Sequence, residues 1–266
     1  MSRSPSTLAL VLALVLGACA PIRPLYKIAL VAPFEGRWRQ VGYDVFPAFR
    51  LALRDHARKA KGARVVVSFV AYTDDADPVK AAQVAQQVAA DPEVLVVIGH
   101  FLITTTLAAL AVYEQAGLPM LAPHVPADQL PARPWLFRLG PSLSEAPRHN
   151  VAQPCYPALQ SSTFGTCHSD APPLESSLRA QTTLVGFTDI SLGTPPTPRA
   201  IVGWDAAQVA LAAIDLAAAE GRPSRAKVAA ALRQVRYDGL LGVISFDDQQ
   251  RWRAAPLWRW STTSHP

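Results

Sequence analysis

From residue 27 to residue 122 the chain alternates between short apolar runs and longer amphipathic stretches, and this alternation narrows its possible folds more than any other feature. Lys27-Ile-Ala-Leu-Val-Ala32 is an apolar run of buried-strand length. After a loop over 33–42, Tyr43 to Lys59 carries Phe46, Phe49, Leu53 and Ala57 at three- and four-residue spacings, the pattern of a helix with one buried face. Arg64 to Ala71 is β-branched and strand-like. Asp77-Pro78 reads as an N-cap followed by proline at the first helical position, opening a helix to Ala90 that buries Ala81, Val84, Ala85 and Val88. Val94 to Ile98 is a third strand, Thr104 to Ala116 a helix ended by Gly117, and Leu118 to Ala122 a fourth strand. The order predicts an α/β fold built on a doubly wound parallel sheet. In such sheets ligands sit outside the carboxyl ends of the strands, which places the expected site in loops 33–42, 99–105 and 122–128.

The remainder is less regular. Residues 141–198 are rich in Pro, Ser and Thr, with Thr182 to Thr188 as their one strand-like run. Order returns at Trp204, where Asp205 reads as the cap of an Ala-rich helix to Glu220 with Val209, Ala213, Leu216 and Ala217 on one stripe. Pro223-Ser224 opens a helix to about Val235, and Gly242 to Phe246 and Leu257 to Ser261 read as strands. Half of the 266 residues are hydrophobic and 17% are charged, so the chain has the means to build a core. Its 24 prolines argue against coiled coils. The net charge of +5 comes from scattered arginines without a basic stripe or interleaved aromatics, which argues against nucleic acid as a partner.

Residues 1–18 form a three-part targeting signal: Arg3, an apolar run from Leu8 to Leu16, and the small residues Gly17 and Ala18. The run is shorter than the ~20 residues a spanning helix needs. Leu16-Gly17-Ala18-Cys19 resembles the lipobox of bacterial lipoproteins, which makes Cys19 the expected lipidation site and residues 19–26 a tether holding the protein outside the cytoplasm on the cell membrane. The other reading is an ordinary secretory signal with a chance cysteine. Cys155 and Cys167 are then either a disulfide, which persists outside the cytoplasm, or two free thiols. His149 and His168 lack the regular spacing of a metal site, so no metal or other cofactor is expected. The chain carries no Gly-x-Ser-x-Gly elbow, phosphate-binding loop or His-Glu-x-x-His motif, and an enzyme is not expected.

Within the expected loops, Trp38 and Tyr43 are candidates for an aromatic wall, with helix packing as the alternative for Tyr43. Thr104 and Thr105 begin a helix behind a strand, where they either cap it or present hydroxyls and N–H groups to an anion. His124 is a ligand contact or a solvated loop residue. His100 reads as structural at the base of its loop, Asp74 and Asp75 as ties for the loop after the second strand.

Several segments, in this order, resemble the substrate-binding lipoproteins of ABC transporters for branched-chain amino acids and amides. They are Ile28-Ala-Leu-Val-Ala-Pro33 with Gly36 and Gly42; Asp74-Asp75-x-Asp77-Pro78; Val97-Ile98-Gly99-His100; Tyr113-Glu-Gln-Ala-Gly-Leu-Pro-Met-Leu-Ala-Pro123; Phe137-Arg138; Gly203-Trp204-Asp205-Ala-Ala-Gln-Val209; and Gly239-x-x-Gly242-x-Ile244-x-Phe246-Asp247. The resemblance covers about 27–140 and 183–260. It implies a type I periplasmic-binding-protein fold of two lobes that close on a small amino acid or amide-like ligand and present it to an ABC permease. On this pattern 27–140 and 199–240 form the first lobe, while 141–198 and 241–266 form a reduced second lobe and the hinge returns. The sequence departs from the family at the pocket: Ile103 stands where a serine hydroxyl is usual, and His124, Val125 and Pro126 replace two small residues and a threonine. The expectation is therefore an importer's solute-binding protein. The alternative is a degenerate lobe that senses or scaffolds at the membrane surface without delivering solute.

Overall fold

A computed structural model describes residues 23–59, 64–140, 166–169, 186, 196–255 and 258–261. In chain order these hold β1 (Leu25–Ala32), a 3₁₀ turn (Gly36–Trp38), α1 (Arg39–Lys59), β2 (Val66–Thr73), α2 (Pro78–Ala90), β3 (Val94–Gly99), α3 (Ile103–Gln115) and β4 (Met120–Ala122). A second 3₁₀ turn (Ala127–Gln129) follows, then β5 (Leu136–Arg138), β6 (Thr166–Ser169), α4 (Pro198–Ala219), α5 (Arg225–Gln234), β7 (Tyr237–Gly239), β8 (Gly242–Ile244) and β9 (Trp258–Ser261).

The first five strands make one parallel sheet in the order β2-β1-β3-β4-β5. Parallel strands are covered on both faces, and side-chain alternation divides them. Ile28, Leu30 and Ala32 of β1 join a core shared with α1, α4 and α5. Ala29 and Val31 join the opposite core, shared with α2 and α3. This is the doubly wound parallel sheet expected from the apolar runs. β5 is an addition: three residues are too few to show a period, and Phe137-Arg138 enter the sequence reading as a motif alone.

Other elements differ in their bounds or roles. α1 begins at Arg39, so most of the expected loop 33–42 is helical, and Pro47 lies inside the helix. Gly42 permits this start. Its N–H donates to the Pro33 carbonyl at 3.1 Å, where a β-carbon would press within 2.6 Å of Pro33 and Phe34. Asp77 caps α2 as expected, its Oδ1 accepting from the N–H groups of Val79 (2.7 Å) and Lys80 (3.2 Å). Asp205 does not cap α4. Thr197 does, accepting from Ala200 N–H, and the helix starts seven residues earlier than Asp205. Asp205 is buried within α4, where its two oxygens accept from the N–H groups of Leu240 (2.8 Å) and Leu241 (3.1 Å). The Val209, Ala213 and Ala217 stripe is buried, but Leu216 is half exposed. Gly186 is helical rather than extended; the rest of the strand read at Thr182 to Thr188 lies outside the described residues.

The end of the chain returns to the sheet edge. Arg138 N–H donates to the Gln250 carbonyl at 2.8 Å, and Trp252 N–H to the Arg138 carbonyl at 2.9 Å. Leu241, Ile244, Phe246 and Trp252 enter the core with Phe137. β6 pairs antiparallel with β9, which sets Cys167 opposite Trp260 in the backbone register. Cys19 and Cys155 lie outside the described residues.

Candidate functional site

The sheet order fixes where a crevice opens. From β1 the chain turns through α1 to β2 on one side, and from β3 through α3 to β4 on the other, so the two connections part at the carboxyl ends of β1 and β3. Gly99 ends β3 here at φ 137°, and a β-carbon on it would sit 2.1 Å from the Val31 carbonyl oxygen. Only glycine lets the strands run this close where the loops diverge.

One side of the crevice rests on a buried polar chain. His100 Nδ1 lies 2.7 Å from Asp74 Oδ2, and its Nε2 lies 3.2 Å from the Tyr113 hydroxyl. Burial, followed by the charge of Asp74, pushes the Tyr113 phenol well above its ordinary range. Asp74 Oδ1 also accepts from Ala76 N–H at 3.0 Å. Asp75 and Ala76 adopt positive φ, and Asp75 is held by Thr73 and Lys80, which together keep its carboxyl below the usual carboxylate range. His100, Asp74 and Asp75 thus tie the loop bases, as the sequence reading has them.

The other side carries the candidates. His124 is buried and lies against the Phe101 ring with centroids 5.2 Å apart. Burial, then the neighbouring Arg199 guanidinium, holds its imidazole far below the ordinary histidine pKa, against a hydrogen bond to the Arg199 backbone that favours protonation. His124 Nε2 has no hydrogen-bond partner among the described residues. Arg199, at the start of α4, is itself buried and forms an ion pair with Asp44 of α1. Tyr43, next to Asp44, is 55% exposed; its ring meets Phe34 edge-on at 6.3 Å, and Phe46 meets Phe34 from another side at 6.1 Å.

Contacts therefore run from Phe34 and Tyr43 through Asp44 and Arg199 to His124 and Phe101. Of the sequence candidates, His124 lies within this chain of contacts and Tyr43 adjoins it through its neighbour Asp44. Trp38 is half-buried beneath the Arg37 guanidinium, 4.9 Å from its ring centroid. Thr104 is exposed. Thr105 is buried, and its hydroxyl donates to the Leu102 carbonyl at 3.1 Å; the hydroxyl of Thr106 donates to His100 and Leu102 carbonyls. Neither threonine caps α3, whose N-cap position is Leu102. The solvated-loop alternative for His124 gives way, because the histidine is buried, while Tyr43 is half exposed with its ring packed on Phe34. Phe34, Phe101, Asp44 and Arg199 were not found by sequence. Glu35 and Gly36 beside Phe34 read as loop, and Arg199 reaches Asp44 across 155 positions.

No protein-family model matches the chain. It is 35% identical over 109 residues to a Leu/Ile/Val-binding protein of Citrobacter freundii, and 34% identical over 115 residues to a leucine-, isoleucine-, valine-, threonine- and alanine-binding protein of Pseudomonas aeruginosa. These alignments take in 40% and 42% of this chain and only 29% and 30% of the relatives' own lengths. Among solved structures, an ABC transporter substrate-binding protein from Desulfitobacterium hafniense in complex with Leu superposes with a TM-score of 0.70, at 17% identity, covering 91% of this chain and 98% of that one. A solute-binding protein from R. palustris in complex with benzoate gives 0.67 at 15% identity, over 85% and 90% of the two chains. The chain thus has the type I periplasmic-binding fold of ABC-transporter substrate-binding proteins, and in part of its length it is a sequence relative of the Leu/Ile/Val-binding proteins.

Proposed function

We propose that this protein is the extracytoplasmic solute-binding component of an ABC importer, held to the membrane by lipid on Cys19, without catalytic activity of its own. Its solutes are branched-chain amino acids, amides or related small carboxylates. It receives them at the diverging ends of β1 and β3 and passes them to a permease. The observation that carries this reading is the buried, unpartnered Nε2 of His124 between Phe101 and the Asp44–Arg199 pair. A neutral imidazole with one free nitrogen is a hydrogen-bonding group for a small polar solute, and the Phe34, Tyr43 and Phe46 rings offer apolar area where the chain leaves β1. Trp38, Thr104 and Thr105 border the same loops. On this reading 141–198 belong to a reduced second lobe, with Cys155 and Cys167 as its candidate disulfide.

Thermal unfolding against L-leucine, acetamide and benzoate tests this. A solute at 100 times its Kd adds ~2.7 kcal/mol of stability. The rise in Tm is expected to disappear in His124→Leu, with the circular dichroism spectrum unchanged. A complete absence of stabilisation by amino acids, amides and carboxylates overturns the solute-binding reading in favour of a scaffold. Palmitate labelling is expected to be lost in Cys19→Ala, and its persistence refutes the anchor.

A further inference from the structure

α1 and α4 run side by side in the same direction, and a polar side-chain contact ties them near each end. Asp44 and Arg199 meet near their starts, and His56 Nε2 and Asp215 Oδ2, 2.9 Å apart, meet near their ends. At a rise of ~1.5 Å per residue, Lys59 stands about 20 Å along the helix from Asp44 and the crevice. Around this lower pair lies a cavity of about 490 Å³, lined by His56 and Lys59 of α1, Gln208, Leu211 and Asp215 of α4, and Tyr237 of β7. The volume falls in the range of small-molecule sites, ~300–1,000 Å³.

Gln208 gives the cavity its chemistry. Its side chain is more than nine-tenths buried, and its Nε2 has no hydrogen-bond partner among the described residues. Proteins rarely bury an amide donor unpaired, because its lost hydration is not recovered, and a ligand oxygen at this point would recover it. Lys59 adds an ammonium. Asp215, the carboxylate among the described lining residues, is engaged by His56, which leaves the Lys59 ammonium to meet a ligand's carboxylate. Leu211 and Ala212 supply apolar surface beside these donors.

We propose that this cavity is a second solute site, separate from the crevice, that takes a small aliphatic carboxylate. The Lys59 ammonium and the Gln208 amide hold the two carboxylate oxygens, and the alkyl part packs on Leu211 and Ala212.

The test is a titration of the purified chain, labelled with ¹⁵N in its glutamine side chains, with sodium butyrate. One side-chain NH₂ pair is expected to shift, and that pair is expected to be missing from Gln208→Leu. Lys59→Met, at an exposed position, is expected to weaken binding about tenfold, as the loss of one charge-assisted hydrogen bond does, and to reduce its dependence on ionic strength. His124→Leu is expected to change nothing here, so failure at the crevice and failure at this cavity are read separately. A shift that survives Gln208→Leu, is reproduced by sodium chloride, is indifferent to Lys59→Met or vanishes in His124→Leu overturns the proposal, as does the absence of any shift.

Discussion

Asp205 and His124 both show how a buried polar residue takes its role from a distant partner. Asp205 lies inside a helix, yet its carboxylate serves the backbone of Leu240 and Leu241. Asp205→Ala removes both acceptors and leaves two buried N–H groups unpaired, at ~1–3 kcal/mol each, so the urea midpoint should fall by an amount equivalent to about 2–5 kcal/mol. His124 gives a pH signature. Its folded-state pKa lies well below the ordinary 6.5, so as pH falls through 6.5 the unfolded chain takes up a proton that the folded chain refuses. Stability is therefore lost on acidification below 6.5, at up to ~1.4 kcal/mol per pH unit, until the folded pKa is reached. Urea midpoints measured from pH 7 to pH 5 should fall more steeply for the native chain than for His124→Leu, and equal slopes would sink the assignment. Neither role was legible in the sequence. A histidine after a strand looks like a loop residue, and Asp after Trp204 looks like a cap, because local patterns do not reveal partners 35 or 75 positions away.

Elements were more legible where periodicity or capping chemistry is strong. The runs that became β1 and β3, and the Asp77-Pro78 start of α2, stand as read, because burial on both faces and an N-cap proline leave clear local marks. The start of α1 was hidden by Gly42, whose missing side chain suits close packing on Pro33 rather than a break. β5 and β7, at three residues each, are set by the strands they join rather than by their own pattern. Arg225 shows how such elements are tied. From the first position of α5 it donates to the carbonyls of Ala89 (2.9 Å), Asp91 (2.7 Å), Val94 (3.0 Å) and Ala116 (3.3 Å), gathering the ends of α2 and α3 and the start of β3. Arg225→Met strands these carbonyls, and about 2–4 kcal/mol of stability should go with them in chemical denaturation. Arg225→Lys should recover only part, since an ammonium cannot reproduce the planar fork.

At the scale of the molecule, the α/β class and the position of the crevice followed from strand order, which the alternation along 27–122 already implied. The way the far end of the chain completes the sheet did not. α4 covers the face of β1 and β3 beside α1, and residues 250–252 bond to β5. A fragment of residues 23–140 keeps all five strands of the sheet but loses most of one helical layer. It should therefore bind a hydrophobic dye and lack a cooperative unfolding transition, whereas the full chain should unfold sharply. A fragment that melts cooperatively would show that the first five strands need no help.

The join between Arg138 and Trp252 bears on the order of events during synthesis. More than a hundred residues separate the two halves of that seam, so a growing polypeptide emerges with its β-edge bare and one apolar flank uncovered until Trp252 has been made. A seam closed by so distant a contact forms late in folding, and until it forms the bare strand edge is open to pairing with another chain.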